Sequence, residues 1–494
     1  MAHLLSKSTY IRGRQCAKSL WLVKHRPELR PEVPARLQAI FDQGTEVGRL
    51  AHQRFPGGVD CSPEHHYDYG PALEATRAAL AAAVPAIYEA AFQHDGVLAA
   101  LDILVRDGEG WMAVEVKSST SVKEVYLEDA ALQYHVISAC GVPLTRMVVM
   151  HVDTRYVREG AIDVRQLFHL EDVTARVLAR QAAVRTAVEA LKGVVLAPDQ
   201  PAVDIGPHCG TPYVCEFKAH CWAAVPSPSV FDLSHIGDRA WELYHAGIVR
   251  LEDLPADTAL SERQHAQVEA RRSGNVVVDL PRVKAFVQGL RYPLHHLDFE
   301  TFATAVPLFD GLRPFQAVPF QYSLHVQQHR GAAPDHHAFL ADGAGDPREA
   351  FVSALLAQVG EEGDVLAYNL SYERSILNAL ARDLPQHAPA IARLTARCKD
   401  LAEPFAKQWY YAPAMNGRHS IKQVLPALVP ELSYDELAIG SGDLASMRFA
   451  QLMQGTYSGD VAQLRHDLLD YCGLDTLAMV KLLEVLEGTV DAEG

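Results

Sequence analysis

Two α/β modules joined by a helical connector are predicted from three observations on these 494 residues. Strand-like and helix-like patterns alternate from about 71 to 152 and are followed by a long helix, a linker composition VPSPSV opens the next region, and a new α/β alternation starts near residue 293. The predicted modules are therefore 1–224, 225–292 and 293–490. With 49% hydrophobic and 21% charged residues, the chain has enough apolar surface for each α/β module to bury its own core.

In the first module, the Ala-rich run ALEATRAALAAAVPAIYEAAF predicts a helix. VLAALDILV and WMAVEVKSS predict two strands, 127–139 a helix and RMVVMHV another strand. A long helix over about 171–193 is expected to lead to a Pro-containing loop. The connector reads as short helices. Its stretch IGDRAWELYHAGIVRLEDLP is similar to a helix-hairpin-helix phosphate-binding unit but lacks the glycine-rich hairpin. In the second module, HHLDFETF, FQYSLHV and DVLAYN predict strands, 347–359 a helix, and the remainder mainly helices. Internal repeats and low-complexity tracts are not evident.

The chain carries a net charge of −16, which argues against coating nucleic acid by bulk electrostatics. Residues 1–60 differ: ten Lys and Arg face five acids, a local +5 able to grip phosphates, which leaves −21 for the remainder. The opening residues never form the apolar run of a signal peptide, and no stretch approaches the roughly 20 apolar residues of a membrane span. A cytoplasmic protein without membrane partners is expected.

Four of the eight cysteines are split in an unusual way. Cys16 lies near the start, and Cys209, Cys215 and Cys221 follow almost two hundred residues later, whereas a zinc ribbon draws its ligands from two close pairs. Four thiolates are the usual ligand set of a 4Fe–4S cluster, and holding it from both ends would tie the module into a ring. Cys61, Cys140, Cys398 and Cys472 lack ligand spacing and read as reduced bystanders.

The sequence between the clasp cysteines carries Asp102 on one predicted strand, and Glu115 and Lys117 on the next. Alternate strand residues share a face, so the carboxylates and the amine fall together. Two carboxylates hold a divalent cation, and a lysine beside them orients the attacking water. His52 ends a predicted upstream helix from which a third metal ligand would come, and Gln133 sits on the helix after the lysine strand.

On these residues, 1–222 resemble the RecB-like PD-(D/E)xK nucleases, in the iron–sulfur branch that includes CRISPR-associated spacer-processing nucleases and the AddB nuclease domain. The resemblance implies a restriction-endonuclease-like fold, with His52, Asp102 and Glu115 as metal ligands and Lys117 and Gln133 as catalytic residues. Two departures stand out: Ile137, not tyrosine, lies four residues after Gln133, with Tyr134 adjacent to the glutamine, and the late cysteines are spaced five and five.

A second carboxylate set comprises Asp298 and Glu300 in LDFET, Glu373 with Asn369 before it, and Tyr471 four residues before Asp475. Two metal ions about 3.5–4 Å apart need such converging carboxylates, and a tyrosine on the same helix face as Asp475 can position water. The order resembles the DEDDy exonucleases of the RNase H-like fold, with Tyr471 catalytic and Asp298, Glu300, Glu373 and Asp475 as metal ligands. Glu373 stands where that family has Asp, and Asp470 stands where the histidine subtype has His. Asp400 reads as a helix N-cap or a further acid. The phrases EVKSSTSV, PFQYSLH and SIKQVLPAL also make the chain resemble an uncharacterised bacterial family joining these two modules.

The expectation is a nuclease using a 4Fe–4S cluster and Mg²⁺ or Mn²⁺, acting on DNA ends or single strands in repair, recombination or defence against foreign DNA. The alternatives are a nucleic-acid-binding scaffold with one or both sites inactive, and an RNA-processing exonuclease.

Overall fold

The computed structural model describes residues 3–65 and 68–492. The chain splits into two compact units, Met1–Ala224 with Thr304–Gln316, and Val225–Ala303 with Ala317–Gly494.

The first unit is built on a mixed sheet. Along it run Val59–Asp60, Ala86–His94, Val97–Asp107, Gly110–Lys117, Leu144–Val152 and Phe168–Asp172, and Leu5–Ser6 adds parallel to Val97–Asp107. Asp95 and Gly96, both with positive φ (47° and 71°), turn the first hairpin, as the right-handed twist of its strands requires. The helix Glu124–Ala139 follows Gly110–Lys117 and leads into Leu144–Val152, which pairs parallel with it. This helix buries Leu127, Ala130, Leu132 and Val136 in one core cluster with Leu101, Ala113 and Val149.

Two expectations here are corrected. The Ala-rich run is helical only over Gly70–Ala81, and AIYEAAFQH is the strand Ala86–His94. Pro85 precedes it, and the β-preferring Ile87, Tyr88 and Phe92 pair with the next strand, so partner contacts override alanine's helical preference. The expected helix over 171–193 begins instead as the edge strand Phe168–Asp172, then breaks into Thr174–Ala179 and Gln181–Leu196. The Asp172 carboxylate accepts from Thr174 N at 2.9 Å and marks that change.

Thr304–Gln316 belongs with the first unit for a visible reason. Ala305 enters a core cluster with Val47 and Met112, and the Arg158 guanidinium donates to the carbonyls of Pro307 (2.9 Å) and Leu308 (2.6 Å).

The second unit contains a five-stranded sheet in the order Asp335–Leu340, Val318–Gln327, Leu294–Phe302, Asp364–Ala367, Cys398–Asp400. The first three strands are antiparallel and the last two continue parallel. Asp335–Leu340 and Cys398–Asp400 were not expected; the first is mostly exposed and the second has three residues, too short for a periodic signal. Val461–Ala492 is a 32-residue helix. Asp460 caps it by accepting from Ala462 N and Gln463 N, and Leu464, Leu468, Tyr471, Cys472, Asp475, Met479 and Leu482 are buried at helical spacing.

The 225–292 segment belongs to this unit. It contains the helices Arg239–His245, Glu262–Ser273 and Leu280–Gln288, and its Val277–Val278 pairs with Tyr410–Tyr411. The stretch likened to a helix-hairpin-helix gives one helix, Arg239–His245, a turn at Gly247 and a single 3₁₀ turn, Leu251–Asp253. Among the described residues no helix is long and apolar enough to cross a membrane.

Candidate functional site

In the first unit, strand alternation delivers Glu115 and Lys117 to one face, and the helix Glu124–Ala139 brings Asp129 and Gln133 onto it. Lys117 Nζ donates to Glu115 Oε1 at 2.6 Å and to Asp129 Oδ2 at 2.8 Å. Gln133 Nε2 donates to Glu115 Oε2 at 2.7 Å and Asp129 Oδ1 at 3.1 Å. Lys7, 108 residues before Glu115, reaches the same Oε1 at 2.7 Å. Burial pushes Glu115 upward, but the ammonium groups of Lys117 and Lys7 overcome it and hold the carboxyl well below the usual range. Asp102 accepts from Val116 N, and burial followed by the charge of Glu115 raises its carboxyl well above the ordinary value.

Lys7, Asp129 and Glu89 were missed by sequence reasoning. Asp129 had a signal, since it lies one helical turn before Gln133 on the same face. Glu89 is a non-glycine residue at φ 52°, where the pairing of Ala86–His94 skips the position opposite Asp102, and burial pushes its carboxyl up to about 7. Lys7 had no local signal. His52 lies in the 3₁₀ turn His52–Arg54 with its ring stacked on Tyr88, centroids 4.1 Å apart, and its buried Nε2 has no partner among the described residues. It is not drawn with Asp102 and Glu115 into one tight ligand group.

The four clasp cysteines, none of them in a disulfide, line one small cavity. Gln15, just before Cys16, donates through Nε2 to the carbonyls of His208 and Tyr213, each at 2.7 Å, and Arg12 and Arg30 both pair with Glu216. Burial raises the Cys16 thiol, and the neighbouring Cys215 and Cys209 add to that rise.

In the second unit, Asp298, Glu300 and Asp475 offer carboxylate oxygens within 4.8 Å of one another. Asp298 and Glu300 are alternate residues of Leu294–Phe302, opposite Ser323 and Gln321, and Asp475 comes from the buried face of Val461–Ala492. Glu373, in the first turn of Ser371–Asp383, lines the same cleft of about 550 Å³, and its buried Oε2 has no partner among the described residues. Burial, then the charges of Asp475 and other acids, pushes Glu300 up to about 8, and burial pushes Glu373 up to about 7. Asp298 is raised well above its ordinary value for the same reasons.

Tyr471 also lines this cleft, and its hydroxyl accepts from Lys422 Nζ at 2.8 Å. The same Nζ donates to Gly440 O at 2.8 Å and lies 4.6 Å and 5.2 Å from the ring centroids of Tyr471 and Tyr434. Tyr434 OH donates to Asp475 Oδ1 at 2.6 Å. Neither Lys422 nor Tyr434 was singled out from the sequence. Cys472, read there as a bystander, is buried with Sγ 3.8 Å from Asp298 Oδ2. Asp400 is not a cap of the next assigned helix; its Oδ1 accepts from Asn369 N (3.0 Å) and Ala402 N (2.9 Å), fixing the left-handed Asn369 (φ 66°) that opens the Glu373 helix.

Comparison with known proteins adds no established activity. Residues 295–420 match a protein family described as a domain of unknown function, DUF2779. That span holds Asp298, Glu300 and Glu373 and stops before Lys422, Tyr471 and Asp475. The chain is similar to the uncharacterized protein UU173 of Ureaplasma parvum, 25% identical over 218 residues, which are 40% of this chain and 31% of that one. It is likewise similar to the uncharacterized MG366 homolog of Mycoplasma pneumoniae, 26% identical over 221 residues, covering 41% of this chain and 33% of the other. The matched region thus spans about a third of the length of these curated relatives.

Proposed function

We propose that the chain is a two-module, metal-dependent nuclease: a restriction-endonuclease-like PD-(D/E)xK module with an iron–sulfur clasp, and an RNase H-like 3′→5′ exonuclease module. The observation that carries this reading is the convergence of Asp298, Glu300 and Asp475 in one cleft, with Glu373 in its lining and Tyr471 one turn before Asp475. Three antiparallel strands followed by two parallel ones, with the acid pair on the central strand, support the RNase H-like assignment. In the first unit, three antiparallel strands, a helix and a parallel strand, with the ExK pair at the end of the third, support the other. The favoured substrate is DNA with ends or single strands, RNA is the alternative, and the favoured setting is repair, recombination or defence against foreign DNA.

The donor sets fit the groups this reading implies. Asp298, Glu300, Glu373 and Asp475 are hard oxygen donors suited to Mg²⁺ or Mn²⁺, and buried carboxyls whose like charges raise them call for a cation. When bound, such ions stabilise charge on the phosphate and make water a better nucleophile. Tyr471 orients the water through its hydroxyl, which the Lys422 contact holds in place. In the first unit Lys117 fixes Glu115 and Asp129, with Gln133 bracing both carboxylates from the far side. Cys16, Cys209, Cys215 and Cys221 would hold a 4Fe–4S cluster, whose chemistry here is to close the module by joining its first and last segments.

The test uses anaerobically purified full-length protein with end-labelled single- and double-stranded DNA and RNA, in Mg²⁺ or Mn²⁺. Cleavage is expected to stop in EDTA, to lose its 3′→5′ part in Asp298→Ala and its remaining part in Lys117→Ala. Cleavage unaffected by either substitution overturns the reading.

A further inference from the structure

We infer that Lys7 is a displaceable plug in the acid cluster of the first unit: its ammonium fills the place on Glu115 that a divalent cation takes, and swings away when the cation arrives. The inference rests on the metal-dependent reading of that unit and names the group that regulates metal entry there.

Glu115 is buried, and its Oε1 accepts from two ammonium groups, Lys117 Nζ at 2.6 Å and Lys7 Nζ at 2.7 Å. A carboxylate oxygen has two lone pairs, so both are taken. Gln133 Nε2 holds the other oxygen, Oε2, at 2.7 Å, and the amide oxygen of that side chain is buried with no partner among the described residues. Oε2 thus faces a fully buried glutamine, while Oε1 faces two lysines that are partly exposed, and an ion coming from water meets Oε1 first. To bind there it must displace a lysine. The two are not held equally: Lys117 also donates to Asp129 Oδ2 at 2.8 Å, whereas Lys7 lies 4.0 Å from that oxygen, beyond hydrogen-bond reach. Lys7 gives up one bond on leaving, and Lys117 would give up a bridge between two carboxylates.

The backbone that carries the plug is fixed. Lys7 opens the helix Lys7–Gln15, which Ser6 caps; Tyr10 of that helix is buried, and a Cβ on Gly13 would lie 2.7 Å from Leu191 Cδ2. What can move is the flexible four-carbon stem, and the Lys7 side chain is 29% exposed, which gives its ammonium a route to water. Without a cation the plug supplies positive charge to a buried carboxylate that is costly to leave uncompensated. Mg²⁺ or Mn²⁺ brings twice that charge and prefers hard oxygen donors, of which Glu115, Asp102 and Asp129 are three, so exchange of the plug for the ion is favoured.

The test reads each lysine separately, by brief acetylation of the full-length protein with acetic anhydride and mass spectrometry of its peptides, in EDTA and then in Mn²⁺. Lys7 is expected to be protected in EDTA and to react roughly ten-fold faster in Mn²⁺, the scale of losing one charge-assisted hydrogen bond. Lys117 should change little because Asp129 keeps it, and Lys192, paired with Asp95 and Glu189, reports that the unit stays folded. In Glu115→Gln, Lys7 should already react faster in EDTA and gain nothing from Mn²⁺. Titration with Mn²⁺ in an Asp298→Ala background is the second measurement. There Lys7→Met should bind the first-unit ion roughly ten-fold more tightly, because a competitor is gone, whereas Lys7→Arg, which keeps the charge, should not. A merely structural lysine would weaken metal binding when removed. Equal reactivity of Lys7 with and without bound Mn²⁺, unchanged or weaker binding by Lys7→Met, or no ion in the first unit overturns the inference. An ion that frees Lys7 in a protein that never cuts DNA or RNA removes the nuclease reading and leaves the plug standing; metal-dependent cleavage with Lys7 unmoved does the reverse.

Discussion

In the first unit buried carboxylates are met by ammonium groups of the same chain, whereas in the second they mostly meet one another. Glu115 accepts from Lys7, Lys117 and Gln133 and is held ionised. Asp298 and Glu300 are raised by burial and by the charges of neighbouring acids, Glu373 by burial and then the charge of Asp400, and the lysine that reaches their cleft, Lys422, donates to Tyr471 and Gly440. The first cluster carries much of its own charge compensation; the second must take a proton or an external cation. That difference predicts how each will respond to substitution, metal and pH.

The sharpest break comes from removing one acid of the second set. With the first module silenced by Lys117→Ala, Asp298→Ala is expected to lower 3′→5′ trimming roughly a thousand-fold on a 3′-overhanging substrate, the scale of losing a metal ligand. Equal trimming by the two proteins would leave a binding scaffold as the better account.

Lys422→Met comes next, with an expected loss of roughly a hundred-fold in kcat, since a positive charge and the contact holding Tyr471 both disappear. Tyr471→Phe should cost less, about ten-fold, because only the orienting hydroxyl is removed and metal binding is kept. If Lys422→Met changes KM alone, its role lies in binding and not in positioning Tyr471.

The comparison also predicts a smaller effect on stability. Burial and neighbouring acids push Glu300 up to about 8 and burial pushes Glu373 up to about 7, so above the ordinary carboxyl range the folded state holds more protons than the unfolded chain. Stability of the second unit must therefore fall as pH rises from 5 to 8. In EDTA its melting temperature should drop by a few degrees over that range, and Mn²⁺ should restore it, most at the upper end. In the first unit the depressed Glu115 contributes in the opposite sense, its stability present above about 4.5 and lost in acid, while the raised Asp102 and Asp129 offset it. A second unit that becomes more stable in EDTA from pH 5 to 8 would contradict this contrast.

The sequence by itself determined what lies within a few residues. Period two put Asp298 with Glu300 and Glu115 with Lys117, and helical period put Tyr471 with Asp475, because strand and helix geometry fix which neighbours share a face. The grouping of Cys16 with the three cysteines almost two hundred residues later is the exception to that range: it was drawn from residue type and placement, and the structure lines one cavity with all four. Local composition misled at AIYEAAFQH, where alanine favours helix but pairing to Val97–Asp107 wins. Only the tertiary structure decided that Lys7 reaches Glu115, that Lys422 and Tyr434 hold Tyr471 and Asp475, that Cys472 lies against Asp298, and that Thr304–Gln316 packs with the first unit. Each of these joins residues separated by tens to hundreds of positions. Such pairings are selected by complementary charge and shape once the sheets have assembled, and no local period records them.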